Sequence, residues 1–278
     1  MSTTQQGAGG SGVRTIHLNA GPATRTPSTT PRIAWAVAAV GLLAGLLIYL
    51  VGLPASGSLF GTTWSDLTVP TALIVPLLAG WLAFSLASPR APWRVVDIVV
   101  ASVLGVAGGL LFWAWNAAYG AISAPFGATP AIALLGGAWL LPGVLGGLII
   151  RRPGAATYVE LVAAVTEGLV GSQWGFSVVW YGLIEGLGAE IVLAVLLYRR
   201  FGLPTAMASG ALAGLIISTC DLTLSYPTQA AGWKLGYAVL LGVSGAVLAG
   251  VVSWALVKAL ARTGALSPLA SGRTATRV

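Results

Sequence analysis

Eight apolar stretches, near residues 33–53, 67–88, 95–118, 130–150, 155–171, 176–198, 203–225 and 235–261, commit this chain to lipid. Each is about as long as a helix must be to cross ~30 Å of hydrocarbon at ~1.5 Å per residue. A backbone with no water to bond must close its hydrogen bonds within itself, which a helix does. The fold class is therefore all-α and polytopic. Composition agrees: 8% of the residues are charged and mean hydropathy is +0.89, too little charge to cover a water-soluble domain of 278 residues.

The basic residues order the ends of these stretches. Arg14, Arg25 and Arg32 precede the first, Arg90 and Arg94 divide the second from the third, and Arg151 and Arg152 divide the fourth from the fifth. Arg199 and Arg200 divide the sixth from the seventh, and Lys258 and Arg262 close the eighth. The intervening connections, around 54–66, 119–129, 172–175 and 226–234, contribute only Lys234. Every second connection is basic, so the positive-inside rule predicts eight spans with both termini in the cytoplasm. The formal charge of +7 is spread in small groups between apolar runs, a topology signal rather than a nucleic-acid groove. Residues 1–31, rich in Ser, Thr, Gly, Ala and Gln, read as a disordered cytoplasmic tail rather than a signal peptide.

Several chemistries are excluded. Cys220 is the sole cysteine, so no internal disulfide forms, and the sole histidine, His17, lies in the polar leader. No G-x-x-x-x-G-K-[ST] motif is present to cradle a nucleotide, so if a transport task here uses ATP, another subunit hydrolyses it. Gly242-Val243-Ser244-Gly245 has the look of a nucleophile motif, but a serine needs a base and the membrane part has no histidine. No cofactor and no metal site is expected.

The polar residues within the apolar stretches remain to be explained, since an ionisable group in hydrocarbon faces a cavity or a partner. Glu160 and Glu167 are seven residues apart and share one helix face, with Ala163 and Ala164 between them. Glu167 lies roughly 6 Å below the outer end, Glu160 roughly 16 Å, and Glu185 of the next span roughly 13 Å. Tyr181 shares the face of Glu185, Glu190 lies deeper, and Asp221 is close to the outer end of the seventh span. Aromatic residues crowd the same half: Trp113, Trp115 and Tyr119 with Asn116, then Trp139, Trp174, Trp180, Tyr181 and Tyr226. For most of these the interfacial belt is the competing explanation, but Trp139 is too deep for a belt. Carboxylate beside aromatic rings suits a flat heteroaromatic ligand, above all a cationic one. A structural interhelical hydrogen bond is the alternative for each glutamate, more so for Glu160 and Glu190. Two small-residue stripes, Ala101–Gly105–Gly109 and Gly182–Gly186, serve either internal packing or a partner membrane protein.

"GLIIRRPGAA" from Gly147, the Glu160/Glu167 spacing, "GLGAE" from Gly186, Tyr198-Arg199 and Asp221 together resemble the YkoE family over about Pro92 to Arg273. These are substrate-binding S components of energy-coupling factor transporters, linked to thiamine and its hydroxymethylpyrimidine precursor. The resemblance implies a six-helix core, here 91–265, with an outward-facing vitamin pocket and no catalysis. It also implies a transmembrane T component and two ATPases as partners, and it assigns Ala101, Gly105 and Gly109 to the T-component interface. On this reading Glu167, Trp139, Trp113, Asn116, Tyr119, Trp174, Tyr181, Glu185 and Asp221 line or brace the pocket. Two departures stand out. Residues 32–90, two additional transmembrane helices, lie outside the family core, and Glu185 replaces a glutamine of the family pattern. Residues 266–278 complete the chain as a cytoplasmic tail. The competing reading is a secondary transporter or channel with the glutamates as a proton relay, which an inverted repeat would favour and the sequence does not show.

Overall fold

The computed structural model describes residues 30–52, 58–59, 62–63, 66–88 and 92–275; the expected tail up to residue 29 and the connection bearing Arg90 lie outside them. Ten helices follow one another: α1 (Thr30–Val51), α2 (Thr68–Ala87), α3 (Val95–Ser123), α4 (Leu141–Ile150), α5 (Ala155–Val170), α6 (Ser177–Val195), α7 (Leu203–Cys220), α8 (Ala231–Ser244), α9 (Val252–Arg262) and α10 (Ala270–Ala275). A 3₁₀ segment, Pro130–Ala138, leads into α4, a π turn, Asp221–Ser225, ends α7, and a π segment, Gly245–Val251, joins α8 to α9. All eight apolar stretches carry helix. Among the described residues six helical segments are long and apolar enough to cross a membrane, while the Trp35–Val51 part of α1 and the 16-residue α5 are shorter. Between α1 and α2 a two-residue pairing, Ser58–Leu59 with Thr62–Thr63, makes a small antiparallel turn.

The centre of the bundle is α4, whose Leu148, Ile149 and Ile150 are buried beside Val159 of α5 and Leu193 of α6. It can sit there because its glycines remove side chains: a Cβ on Gly146 would lie 2.5 Å from Val159, and one on Gly147 would lie 2.6 Å from Leu193. Backbones approach most closely where α7 crosses the π segment. Gly210 and Gly245 face each other with each other's carbonyl in the space a Cβ would need, and Gly250 meets Met207 in the same way. The 3₁₀ segment is pinned by one hydroxyl. Ser244 Oγ accepts from Gly137 N (3.0 Å) and donates to Leu134 O (2.6 Å). That bonding gives the serine of the Gly-Val-Ser-Gly sequence a structural task.

The arginine-bearing ends are tied by carboxylates. Asp97 opens α3, where a negative charge complements the exposed N–H groups of the first turn. Arg94 Nη2 (2.6 Å) and Arg152 Nε (3.2 Å) both donate to it. The Asp97 carboxylate raises the affinity of the Arg94 guanidinium for its proton. Glu190 of α6 accepts from the backbone N–H groups of Gly154 (2.9 Å), Ala156 (2.7 Å) and Thr157 (3.2 Å), at the start of α5. Tyr198 donates its hydroxyl to the same carboxylate at 2.6 Å, and burial together with Glu190 holds that phenol well above its ordinary pKa, so it stays a donor.

The two helices before residue 90 dock on this bundle through α2. Ala83 and Phe84 pack with Ala194 of α6, Trp81 covers Gly154, and Ser85 hydrogen-bonds Tyr198. Helix α1 touches α2 and turns Leu42, Leu43, Leu46, Leu47 and Leu50 outward, which is the face lipid covers.

Two expectations need correction. The chain after 265 is in part packed: Leu266 and Leu269 are buried and α10 lies against α4 and α9. The stripe Ala101–Gly105–Gly109 does not form an open partner face, because α5 fills it. A Cβ on Gly105 would lie 2.6 Å from Val162, and one on Gly109 would lie 2.5 Å from Ala163 O. Gly105→Leu is therefore expected to destabilise the isolated protein by about 1–3 kcal/mol, as overpacking does. Thermal unfolding in detergent checks this, and an unchanged Tm would mean that α5 does not occupy the face.

Candidate functional site

The ends of the bundle opposite the arginines bring two polar–aromatic clusters together. The first hangs on Asn116, buried near the end of α3 where its amide would be costly without partners. Its Nδ2 donates to Glu167 Oε1, and its Oδ1 accepts from Trp139 Nε1 (3.2 Å) and Trp174 Nε1 (3.4 Å). Ser172 Oγ donates to the same Glu167 oxygen at 2.6 Å. One amide thus sets two indole rings, and one carboxylate sets the amide. Tyr119 closes the group edge-on, with centroids 5.3 Å from Trp139 and 5.9 Å from Trp174, and Trp115 approaches Trp139 at 6.2 Å. Trp139 owes its place to the junction of the 3₁₀ segment with α4, which faces it inward rather than toward the interface.

The second cluster hangs on Asp221, where α7 gives way to the π turn. Tyr237 Oη donates to Asp221 Oδ2 at 2.8 Å, and the Tyr181 hydroxyl lies near the same carboxylate. Trp233 stacks on Tyr237 at 5.4 Å, Tyr226 packs against both, and Trp233 Nε1 donates to Ala128 O at 2.6 Å. Tyr119 is within electrostatic reach of Tyr226 and Asp221, so the two clusters border one region.

Within electrostatic reach of Asp221, Glu167 and Glu160 lies Glu185. It is 8% exposed, and no hydrogen bond among the described residues reaches it. Glu160 differs. It is fully buried, accepts from Gly143 N with one oxygen, and leaves the other without a partner.

Of the residues singled out in the sequence, Asn116, Tyr119, Trp139, Glu167 and Trp174 meet in the first cluster, Tyr181 and Asp221 in the second, and Glu185 lies within electrostatic reach of both. Trp113 is not brought in: it is 46% exposed on the outer face of α3. Ser172, Trp233 and Tyr237 escaped notice. The i, i+4 spacing of Trp233 and Tyr237 at the start of α8 was the available signal for two of them. Glu190, for which the sequence favours a structural interhelical hydrogen bond, makes such bonds to the start of α5.

Comparison with known proteins fits this architecture. Residues 96–216 match the family described as ABC-type cobalt transport system, permease component. The chain is 32% identical over 182 residues to a Bacillus subtilis (strain 168) protein named as the HMP/thiamine permease protein YkoE, covering 65% of this chain and 91% of that one. A crystal structure of an S component of an energy-coupling factor transporter superposes with a TM-score of 0.64 at 31% identity, covering 67% of this chain and 94% of that one. A helical membrane bundle of this shape is an S component, the non-catalytic membrane subunit of such a transporter. Within that class the chain belongs to the YkoE family.

Proposed function

We propose that the chain binds thiamine or its hydroxymethylpyrimidine precursor from outside the cell and delivers it inward through a T component driven by two separate ATPases. The observation that carries this reading is the set of rings Tyr119, Trp139 and Trp174, held by Asn116 and Glu167, with the unbonded Glu185 carboxylate near Glu167. Both ligands have a flat pyrimidine ring that indoles can stack on, and thiamine adds a permanent cation that a carboxylate and ring faces attract. Tyr119 packs edge-on against both indoles, so a ligand enters by parting the rings. Trp174 is the ring able to move: it sits on the short link between α5 and α6, bounded by Gly171 and Gly175 at φ +114° and +65°, and is 49% exposed. Calorimetry on the purified protein tests the reading. Saturable binding of at least one ligand is expected, weakened in Trp139→Ala; no binding of either ligand by the intact protein would overturn it.

Sidedness follows from the arginines: they lie on the cytoplasmic face of the plasma membrane, with both termini, and the ring clusters open outside. In a Cys220→Ala background, Ala124→Cys and Gln229→Cys are expected to react with an impermeant thiol reagent added to whole cells. Pro153→Cys and Phe201→Cys are expected to react only after lysis. The reverse pattern would invert the protein and place the clusters inside.

A further inference from the structure

We infer that the arginine-bearing end of the α6–α7 pair is a binding site for one anionic phospholipid. A groove of about 760 Å³ runs between these helices, with Ile191, Val195 and Leu196 on one wall and Pro204, Ala208 and Leu212 on the other. Its lining is apolar except for Thr205 and, at its mouth, Arg200. From the start of α7 at Leu203 to Leu212 the groove descends by roughly 14 Å, about half of a ~30 Å hydrocarbon core, so its depth is that of one leaflet. An acyl chain fits such a slot, and a headgroup would lie at its mouth.

The charge at the mouth selects the headgroup. Arg94 and Arg152 are engaged with Asp97, and Arg151 lies over the Phe201 ring at 4.8 Å while donating to Leu148 O. Arg199 and Arg200 are exposed, and among the described residues no carboxylate pairs with either. The turn that presents them is built at a cost: Leu197 and Tyr198 both take the left-handed conformation, at φ +53° and +54°, which side-chain-bearing residues avoid. It is locked by Tyr198 N to Leu193 O (2.9 Å) and by the Tyr198 bond to Glu190. Two exposed guanidiniums carried on a fixed turn, above a leaflet-deep apolar slot between membrane helices, recognise a lipid phosphate.

Native mass spectrometry of the full chain in detergent, with phosphatidylglycerol and phosphatidylcholine supplied in equal amounts, tests this. One retained phosphatidylglycerol is expected, preferred at least 10-fold over phosphatidylcholine. Arg199→Gln combined with Arg200→Gln should bring that preference to within about 2-fold. Ala208→Phe, which fills the slot from an exposed position, should reduce retention of both lipids while the protein stays monodisperse. Equal retention of the two lipids by the unmodified protein, or a preference that survives the double substitution, would make the groove ordinary lipid-facing surface. Loss of a dimer signal in Ala208→Phe with lipid retention unchanged would assign the slot to a second copy of the chain and overturn the lipid site.

Discussion

Glu190→Ala is expected to cost on the order of 3 kcal/mol or more of stability, the largest loss from any single carboxylate in the chain. The reason is the number of donors left behind. The carboxylate satisfies three backbone N–H groups at the start of α5 and the hydroxyl of Tyr198, and a buried donor stripped of its acceptor costs about 1–3 kcal/mol. A helix start carries four N–H groups without intrahelical partners, and no side chain of α5 itself caps them. Glu190→Gln keeps one acceptor oxygen and should lose roughly half as much. Tyr198→Phe should lose only about 1 kcal/mol, the ordinary value of a single bond. Unfolding of the three variants in one detergent gives the ranking. Equal stability of Glu190→Ala and Tyr198→Phe would mean that water reaches the α5 terminus and replaces the carboxylate.

The spans and the sorting of the arginines were legible because hydropathy and charge act on the chain locally, residue by residue. What the glycines do was less so. The chain has 38 of them, and a small-xxx-small spacing says only that a close approach is possible, not which neighbour makes it. Ala101, Gly105 and Gly109 drew attention as a partner face and instead receive α5, whereas the tightest crossing, Gly210 on Gly245, involves a glycine of a π segment that no helical spacing reveals. The 3₁₀ run before Trp139 was hidden for a similar reason, since its cause, Ser244, is more than a hundred residues away. In the site, depth counted along a helix set Glu167 and Asp221 near the outer end and Glu185 deeper. It could not tell which of them would find donors. That depends on Asn116, Ser172 and Tyr237, which come from other parts of the chain.

This difference in donors separates the roles of the two glutamates in ligand binding. Glu167 is only 2% exposed, and one of its oxygens already takes the Asn116 amide and the Ser172 hydroxyl. On the proposed reading, its effect on a ligand passes through Asn116 to the Trp139 and Trp174 indoles, rings that would stack on charged and neutral pyrimidines alike. Glu185 has no such engagement and is the carboxylate left to face a cation. Glu185→Gln is therefore expected to weaken thiamine by about 1–3 kcal/mol, the worth of a desolvated hydrogen bond or contact to a charged group, and to leave hydroxymethylpyrimidine nearly unchanged. Glu167→Gln keeps an oxygen able to accept from both Asn116 and Ser172 but removes the charge that strengthens those bonds, so it should loosen the rings and weaken the two ligands by similar amounts. Trp139→Ala should also weaken both, with a further roughly 0.5–2 kcal/mol against the cation from the lost ring face. Calorimetric titration of each variant with each ligand decides the assignment. A selective loss of thiamine in Glu167→Gln, with Glu185→Gln silent, would exchange the roles of the two carboxylates and put the cation beside the loop that bears Trp174.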